Sequence, residues 1–225
     1  IVNGMPINEH FIKHHSNHDL AKYIIYTKDK TPEQTCEDVL STINPSDSDI
    51  ILIGPEGTGK STIGKLLSQK LNLPQVSMDE VRWDYYQEIG WEANTQRQIK
   101  EREGFAGVYR YWKRFLIYSL ERLLSEYSNC VIDFGAGNSV YEDDGEFARA
   151  SELLSPYKNV VLLLPSPDLD ESVDILKQRN QITINGVEIN SFFMTHHSNQ
   201  KLAKQVIYTK GKTPDEIKEE IIEYC

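Results

Sequence analysis

The stretch "DSDIILIGPEGTGKSTIGKLLSQKLNLPQVSMDEV", Asp47 to Val81, decides the fold. Ile50–Ile53 is a short apolar run with a glycine-rich turn behind it, which predicts a buried strand. After the turn, Ile63, Leu66, Leu67 and Leu71 recur at helical spacing, and Pro74 ends that helix. Between strand and helix, Gly54-Pro-Glu-Gly-Thr-Gly-Lys-Ser61 fits G-x-x-x-x-G-K-[ST] in full. Glycines at these places let backbone N–H groups curl around phosphate oxygens, and the helix start adds partial positive charge. The motif predicts a bound nucleoside triphosphate, ATP, held by Gly54, Glu56, Gly57, Thr58, Gly59, Lys60, Ser61 and Thr62. Lys60 is expected at the β- and γ-phosphates and the Ser61 hydroxyl at Mg²⁺.

Outward from the loop, strands alternate with helices. Gln75–Met78, Cys130–Asp133, Val160–Leu164 and Gln205–Thr209 read as further strands. Helices are expected over Asp79–Ser128 (interrupted near Gly90 and Gly104), around Glu146–Leu154, over Asp170–Arg179 and over Pro214–Tyr224. That alternation predicts an α/β fold, a five-stranded parallel sheet with helices on both faces. Residues 179–203 are expected to be a loop serving as a lid over the site.

In such sheets ligands bind beyond the carboxyl ends of the strands. Asp79, with Arg82 nearby, follows the second strand there, and Asp133 with Gly135 and Gly137 follows the third. Phosphoryl transfer to a hydroxyl needs one carboxylate to take or position the proton and another to hold metal. Asp79 suits the first task, with helix capping as its bland alternative. Asp133 suits the second. Aromatic residues from Tyr85 to Phe115 crowd the middle helices, mostly as core, and Arg102, Arg110 and Arg114 among them offer a clamp for an anionic group.

Bulk properties bound the partners. The chain has 225 residues, 39% hydrophobic and 26% charged, with net charge −10. That charge argues against nucleic acid or an anionic membrane surface as a partner. Cys36, Cys130 and Cys225 share no metal-ligand spacing, and an odd count makes a poor disulfide framework. The longest apolar run, Val160–Leu164, is too short to span a bilayer. No signal peptide is visible, so the expected compartment is the cytoplasm. The chain starts at Ile1, which leaves a leader or a preceding segment open.

Residues 1–43 and 183–225 agree at about 20 of 43 positions without a gap, "HHSNHDLAKYIIYTKDKTPEQT" answering "HHSNQKLAKQVIYTKGKTPDEI". The division expected is a loop–strand–helix copy over 1–43, a linker over 44–49 and the phosphate-loop domain over 50–225. Three explanations stand for the copy: a piece of a tandem protein, a strand and helix exchanged in a homodimer, or two tails competing for one place.

Together "GPEGTGKS", "SMDE", "GAG" after the third strand and the ending "LAKQVIYTKGKTPDEIKEEI" resemble the shikimate kinase family within the P-loop kinase fold. The resemblance covers about residues 50–225 and implies ATP- and Mg²⁺-dependent transfer to a hydroxyl of a small molecule. It implies that Asp79 meets that hydroxyl, that Gly135 and Gly137 contact substrate, that Arg110 clamps its carboxylate and that Arg179 lies against adenine. The chain departs from the family at Ser77, where an aspartate is usual, which moves the metal role to Asp133. The stretch before the last strand also lacks arginine, leaving His196, His197, Lys201 or Lys204 as substitutes. A nucleotide-binding regulatory protein with little turnover, or a kinase for another acceptor such as a nucleotide or sugar acid, remains the alternative reading.

Overall fold

The computed structural model describes residues 27–32, 34–35, 49–179, 183–184 and 187–225. The chain divides into two units, Ile1–Pro45 and Ser46–Cys225. In the first, the strand expected from Tyr23 and most of the helix expected to Ile43 lie outside the described residues. What is described there is a reciprocal cap: Thr31 N donates to Gln34 Oε1 at 2.9 Å, and Gln34 N to Thr31 Oγ1 at 3.2 Å.

The second unit runs β1 (Ile50–Ile53), α1 (Lys60–Leu71), β2 (Gln75–Ser77), α2 (Met78–Glu88), α3 (Ala93–Lys113), α4 (Leu116–Glu126) and β3 (Val131–Asp133). It continues with α5 (Asp144–Leu154), β4 (Asn159–Leu164), α6 (Leu169–Lys177), β5 (Thr183–Ile184) and β6 (Val187–Glu188). It ends with α7 (Ile189–Thr195), α8 (His197–Leu202), β7 (Gln205–Tyr208) and α9 (Pro214–Tyr224). Five strands form one parallel sheet in the order β2-β3-β1-β4-β7, with Leu52 opposite Asp133 and Val161.

Strand alternation sorts the core into two faces. Ile50 and Leu52 join Ile63, Leu67, Ile217 and Ile221 under α1 and α9. Ile51 and Ile53 turn the other way, into the larger cluster built with Tyr86, Phe115, Leu120 and Phe134. The sheet is therefore covered on both sides, as expected for buried parallel strands. Helix α9 starts with the same reciprocal cap as the first unit, Thr213 with Glu216, and Pro214 at its first turn.

Several expected boundaries shift. Met78 leaves the second strand and begins α2, because Asp79 and Glu80 in the first turn favour the helix start there. Gly104 breaks α3 with φ 64 and ψ −159, as its position suggested. The segment expected as a loop over 179–203 instead holds two paired antiparallel strands and two short helices. Ile189 and Phe193 are buried, and so are the polar side chains Asn190, Ser198 and Asn199, because the fold supplies them with partners. Ser139 Oγ donates to Asn199 Oδ1 at 2.7 Å, and Tyr141 N to Ser198 Oγ at 3.1 Å.

Candidate active site

The carboxyl ends of β1, β2 and β3 open onto one cavity of about 500 Å³. Its nucleotide side is the phosphate loop. Gly59 caps α1 at φ 94, a backbone angle that needs glycine, and no acidic residue occupies the helix's first turn. The positive end of α1 is thus left for an anion. Gly54 is packed against β4, where a Cβ would come 2.6 Å from Leu163 O. Thr58 is buried and its hydroxyl donates to Pro55 O at 3.0 Å, tightening the turn. Glu56, Gly57, Gly59, Lys60, Ser61 and Thr62 all line the cavity.

The Lys60 ammonium lies inside the curl of the loop, donating to Gly54 O at 2.9 Å and Pro55 O at 2.8 Å. Burial pushes its pKa down, while Asp133, Asp79 and Glu56 pull it back up. Ser61 Oγ donates to Asp133 Oδ2 at 2.5 Å, and Gly135 N donates to Asp133 Oδ1 at 2.9 Å. A hydroxyl and a carboxylate in contact at a phosphate loop are hard oxygen donors of the kind Mg²⁺ takes, so these residues fit the metal. Arg179 Nη1 reaches Gly57 O at 2.6 Å, against the outside of the loop.

The acceptor side is built on α2, α3, the turn after β3 and α7. Asp79, Arg82, Gly135, Ala136, Gly137 and Asn138 line it together with Phe105, Tyr109, Trp112, Lys113, Ile189 and Phe193. Arg82 Nη1 sits 3.2 Å from Asp79 Oδ1, and its guanidinium lies 4.6 Å from the Trp83 ring and 4.8 Å from the Trp112 ring. Gly135 adopts φ +67, and a Cβ there would stand 2.3 Å from Asp79 Oδ2. Only glycine lets this carboxylate lie flat on the turn.

The structure brings every expected site residue to this cavity or the loop beside it except Arg110. That side chain is exposed and bonded to Glu103 Oε2 at 2.7 Å. The cation that α3 brings to the cavity wall is Lys113, one turn on, which the sequence reading did not single out. Its Nζ donates to Val140 O at 2.6 Å, lies 3.3 Å from Glu142 Oε1 and stands 4.5 Å over the Tyr109 ring. Burial pushes its pKa down to about 8 against the pull of Glu142. A signal existed: Phe105, Tyr109, Trp112, Lys113 and Leu116 share one helical stripe, and Arg110 lies off it.

The proposed substitutes for the missing arginine do not reach the cavity either. His196 caps α8, His197 stacks on His196 and meets the Phe147 ring, and Lys201 lies over Phe147. Lys204 is not among the lining residues. Among the described residues no group of three or more His, Cys, Asp or Glu side chains is placed to hold a metal ion, and no helix is long and apolar enough to cross a membrane.

The family model described as "Shikimate kinase" matches residues 56–225. The chain belongs to the shikimate kinase family. A shikimate kinase of Aquifex aeolicus is 30% identical over 174 residues, covering 77% of this chain and 93% of that protein. A shikimate kinase of Marinomonas is 33% identical over 106 residues, 47% of this chain, and that match spans about half of the relative, 53%. The solved shikimate kinase of Acinetobacter baumannii in complex with shikimate covers 81% of this chain and 95% of its own, with TM-score 0.53 at 18% identity. That last likeness concerns the fold, a P-loop kinase sheet. The cations on the wall of this chain's cavity beyond the phosphate loop are Arg82 and Lys113.

Proposed function

We propose that the chain is an ATP- and Mg²⁺-dependent kinase that moves the γ-phosphoryl group to a hydroxyl of a small anionic acceptor, shikimate or a close relative. The observation that carries this reading is that Lys60, the Ser61–Asp133 pair and Asp79 line one cavity with two cations, Arg82 and Lys113. The loop N–H groups and Lys60 would hold the triphosphate, with Arg179 beside the base. Ser61 and Asp133 would hold Mg²⁺, which when bound neutralises phosphate charge. Asp79 orients the acceptor hydroxyl and takes its proton as the new oxygen–phosphorus bond forms and the bond to the β-phosphate oxygen breaks.

Arg82 and Lys113 would hold the acceptor's anionic group, with Gly135 and Gly137 giving backbone access to the ring. Trp112, Tyr109 and Phe193 exclude water from that side. We place the enzyme in the cytoplasm, and read residues 1–43 as a strand and helix exchanged between two copies of the chain.

The test is ADP release from Mg·ATP with shikimate, followed by a panel of hydroxy acids, nucleotides and sugar acids, with Lys60→Ala as the blank. Shikimate-dependent ADP that vanishes in the blank supports the reading. ATP binding with no acceptor-dependent ADP across the panel refutes it and favours a regulatory role.

A further inference from the structure

The turn that follows β3 ends on a side chain that the proposed reaction does not yet use. Asn138 is buried to 3% exposure in the wall of the acceptor cavity. Its Nδ2 donates to Phe134 O at 2.6 Å and to Asp79 Oδ1 at 3.3 Å. The orientation of this amide is settled by chemistry: a backbone carbonyl can only accept, so the group facing Phe134 O must be the NH₂. Asn138 therefore presents a donor to Asp79, and its own Oδ1 has no partner among the described residues.

The contacts on Asp79 are lopsided. Arg82 Nη1 and Asn138 Nδ2 both address Oδ1. The whole carboxylate lies over Gly135, where even a methyl group would collide with both oxygens, and among the described residues the hydrogen bond and ion pair of Asp79 fall on Oδ1, not Oδ2. Arg82 is itself held against two tryptophan rings that pack edge-to-face, and Asn138 is tethered to the backbone of its own turn. Two donors on one oxygen and a glycine surface under the whole group set the orientation of the carboxylate and leave Oδ2 without a donor.

From this we propose that Asn138 is a positioning residue for the transfer: with Arg82 it occupies one oxygen of Asp79 and reserves the other for the acceptor hydroxyl. The proposal rests on Asp79 being the group that meets that hydroxyl. The sequence "GAGN" thereby couples the substrate-contacting turn to the base in a single short segment.

Three variants of the full chain test it: Asn138→Leu, which keeps the size and removes the donor; Asn138→Asp, which keeps the shape and replaces the donor by a second carboxylate; and Asp79→Asn. Two readouts are used, shikimate-dependent kcat and KM, and a ¹³C-carboxyl pH titration of Asp79 in the free protein, assigned through Asp79→Asn. For Asn138→Leu the expectation is a kcat lower by roughly 10- to 100-fold with ATP affinity unchanged, since misorientation of a reacting group costs about that much. For Asn138→Asp the Asp79 titration should move up by about a pH unit or more, as two carboxylates at this separation resist ionising together.

An Asp79 titration unmoved in both Asn138 variants overturns the proposal, even if their kcat falls through poorer folding. So does wild-type kcat in Asn138→Leu. Wild-type turnover in Asp79→Asn would instead bring down the parent reading, and this one with it, while a lost turnover in Asp79→Asn beside intact Asn138 variants would remove this inference alone.

Discussion

Lys113 gives the sharpest prediction because one burial effect has two consequences of opposite sign. Its pKa falls from 10.5 to about 8 in the folded chain, mainly through desolvation. If the ammonium holds the acceptor's anion, only its charged form binds. The charged fraction drops from roughly three quarters at pH 7.5 to about 3% at pH 9.5, for a group titrating near 8. Shikimate-dependent kcat/KM, which reports the free enzyme, should therefore fall about 20-fold across that interval, mostly through KM. Stability should move the other way. Between pH 8 and 10.5 the unfolded chain binds a proton that the folded chain has shed, so stability rises with pH. At 1.36 kcal/mol per unit the gain from this group is about 3 kcal/mol at most. In Lys113→Arg the guanidinium stays charged, so the alkaline limb of kcat/KM should leave the range and the matching part of the rise in Tm should vanish. Parallel pH series of steady-state kinetics and thermal melts on both chains decide it. An alkaline limb that is identical in the two proteins would refute the assignment of Lys113 to the acceptor.

Two further outcomes follow from the geometry. Gly135→Ala should lose turnover by about 100-fold or more, and 1–2 kcal/mol of stability, because the methyl meets Asp79 Oδ2 and the φ of +67 disfavours any side chain. Gly137→Ala, whose methyl would only reach ordinary contact with Phe193 and Tyr109, should keep most of both, and steady-state assays and melts of the pair show whether the contrast holds. If residues 1–43 are exchanged between copies, a chain shortened to begin at Asp47 should sediment as a monomer where the full chain sediments as a dimer. Equal masses for the two would remove the exchange.

The sheet was readable because buried parallel strands need apolar runs: IILI and VVLLL are uninterrupted, CVID ends on the site carboxylate, and QVIY, at the sheet edge, leaves Val206 and Tyr208 exposed. The phosphate loop was readable because its spacing is fixed by the phosphate it surrounds. The segment 189–202 was misread as loop for a physical reason. Asn190, Ser198 and Asn199 have the polarity of a surface turn, yet they are buried and accept hydrogen bonds from Glu56 N, Tyr141 N and Ser139 Oγ. Burial that depends on partners far along the chain leaves no local periodicity to detect. Arg110 came from the family resemblance and from guanidinium chemistry, and Lys113 was passed over, although the aromatic stripe on α3 already marked the cavity side. Asn138 was hidden in another way: next to glycines it reads as a turn-former, and only its amide's contact with Asp79 distinguishes it.

One bond described above joins the two halves of the site. Glu56 N, in the phosphate loop, donates to Asn190 Oδ1 at 2.8 Å, and Asn190 belongs to the same short helix as Ile189 and Phe193, which border the acceptor. A displacement of α7 by an incoming acceptor would pull on the backbone that cradles phosphate, and an incoming nucleotide would pull on α7. Thermodynamic reciprocity then requires each ligand to alter the affinity of the other by the same factor. An acceptor and a nucleotide bound here would not meet independent sites, because one hydrogen bond ties the wall of one to the cradle of the other.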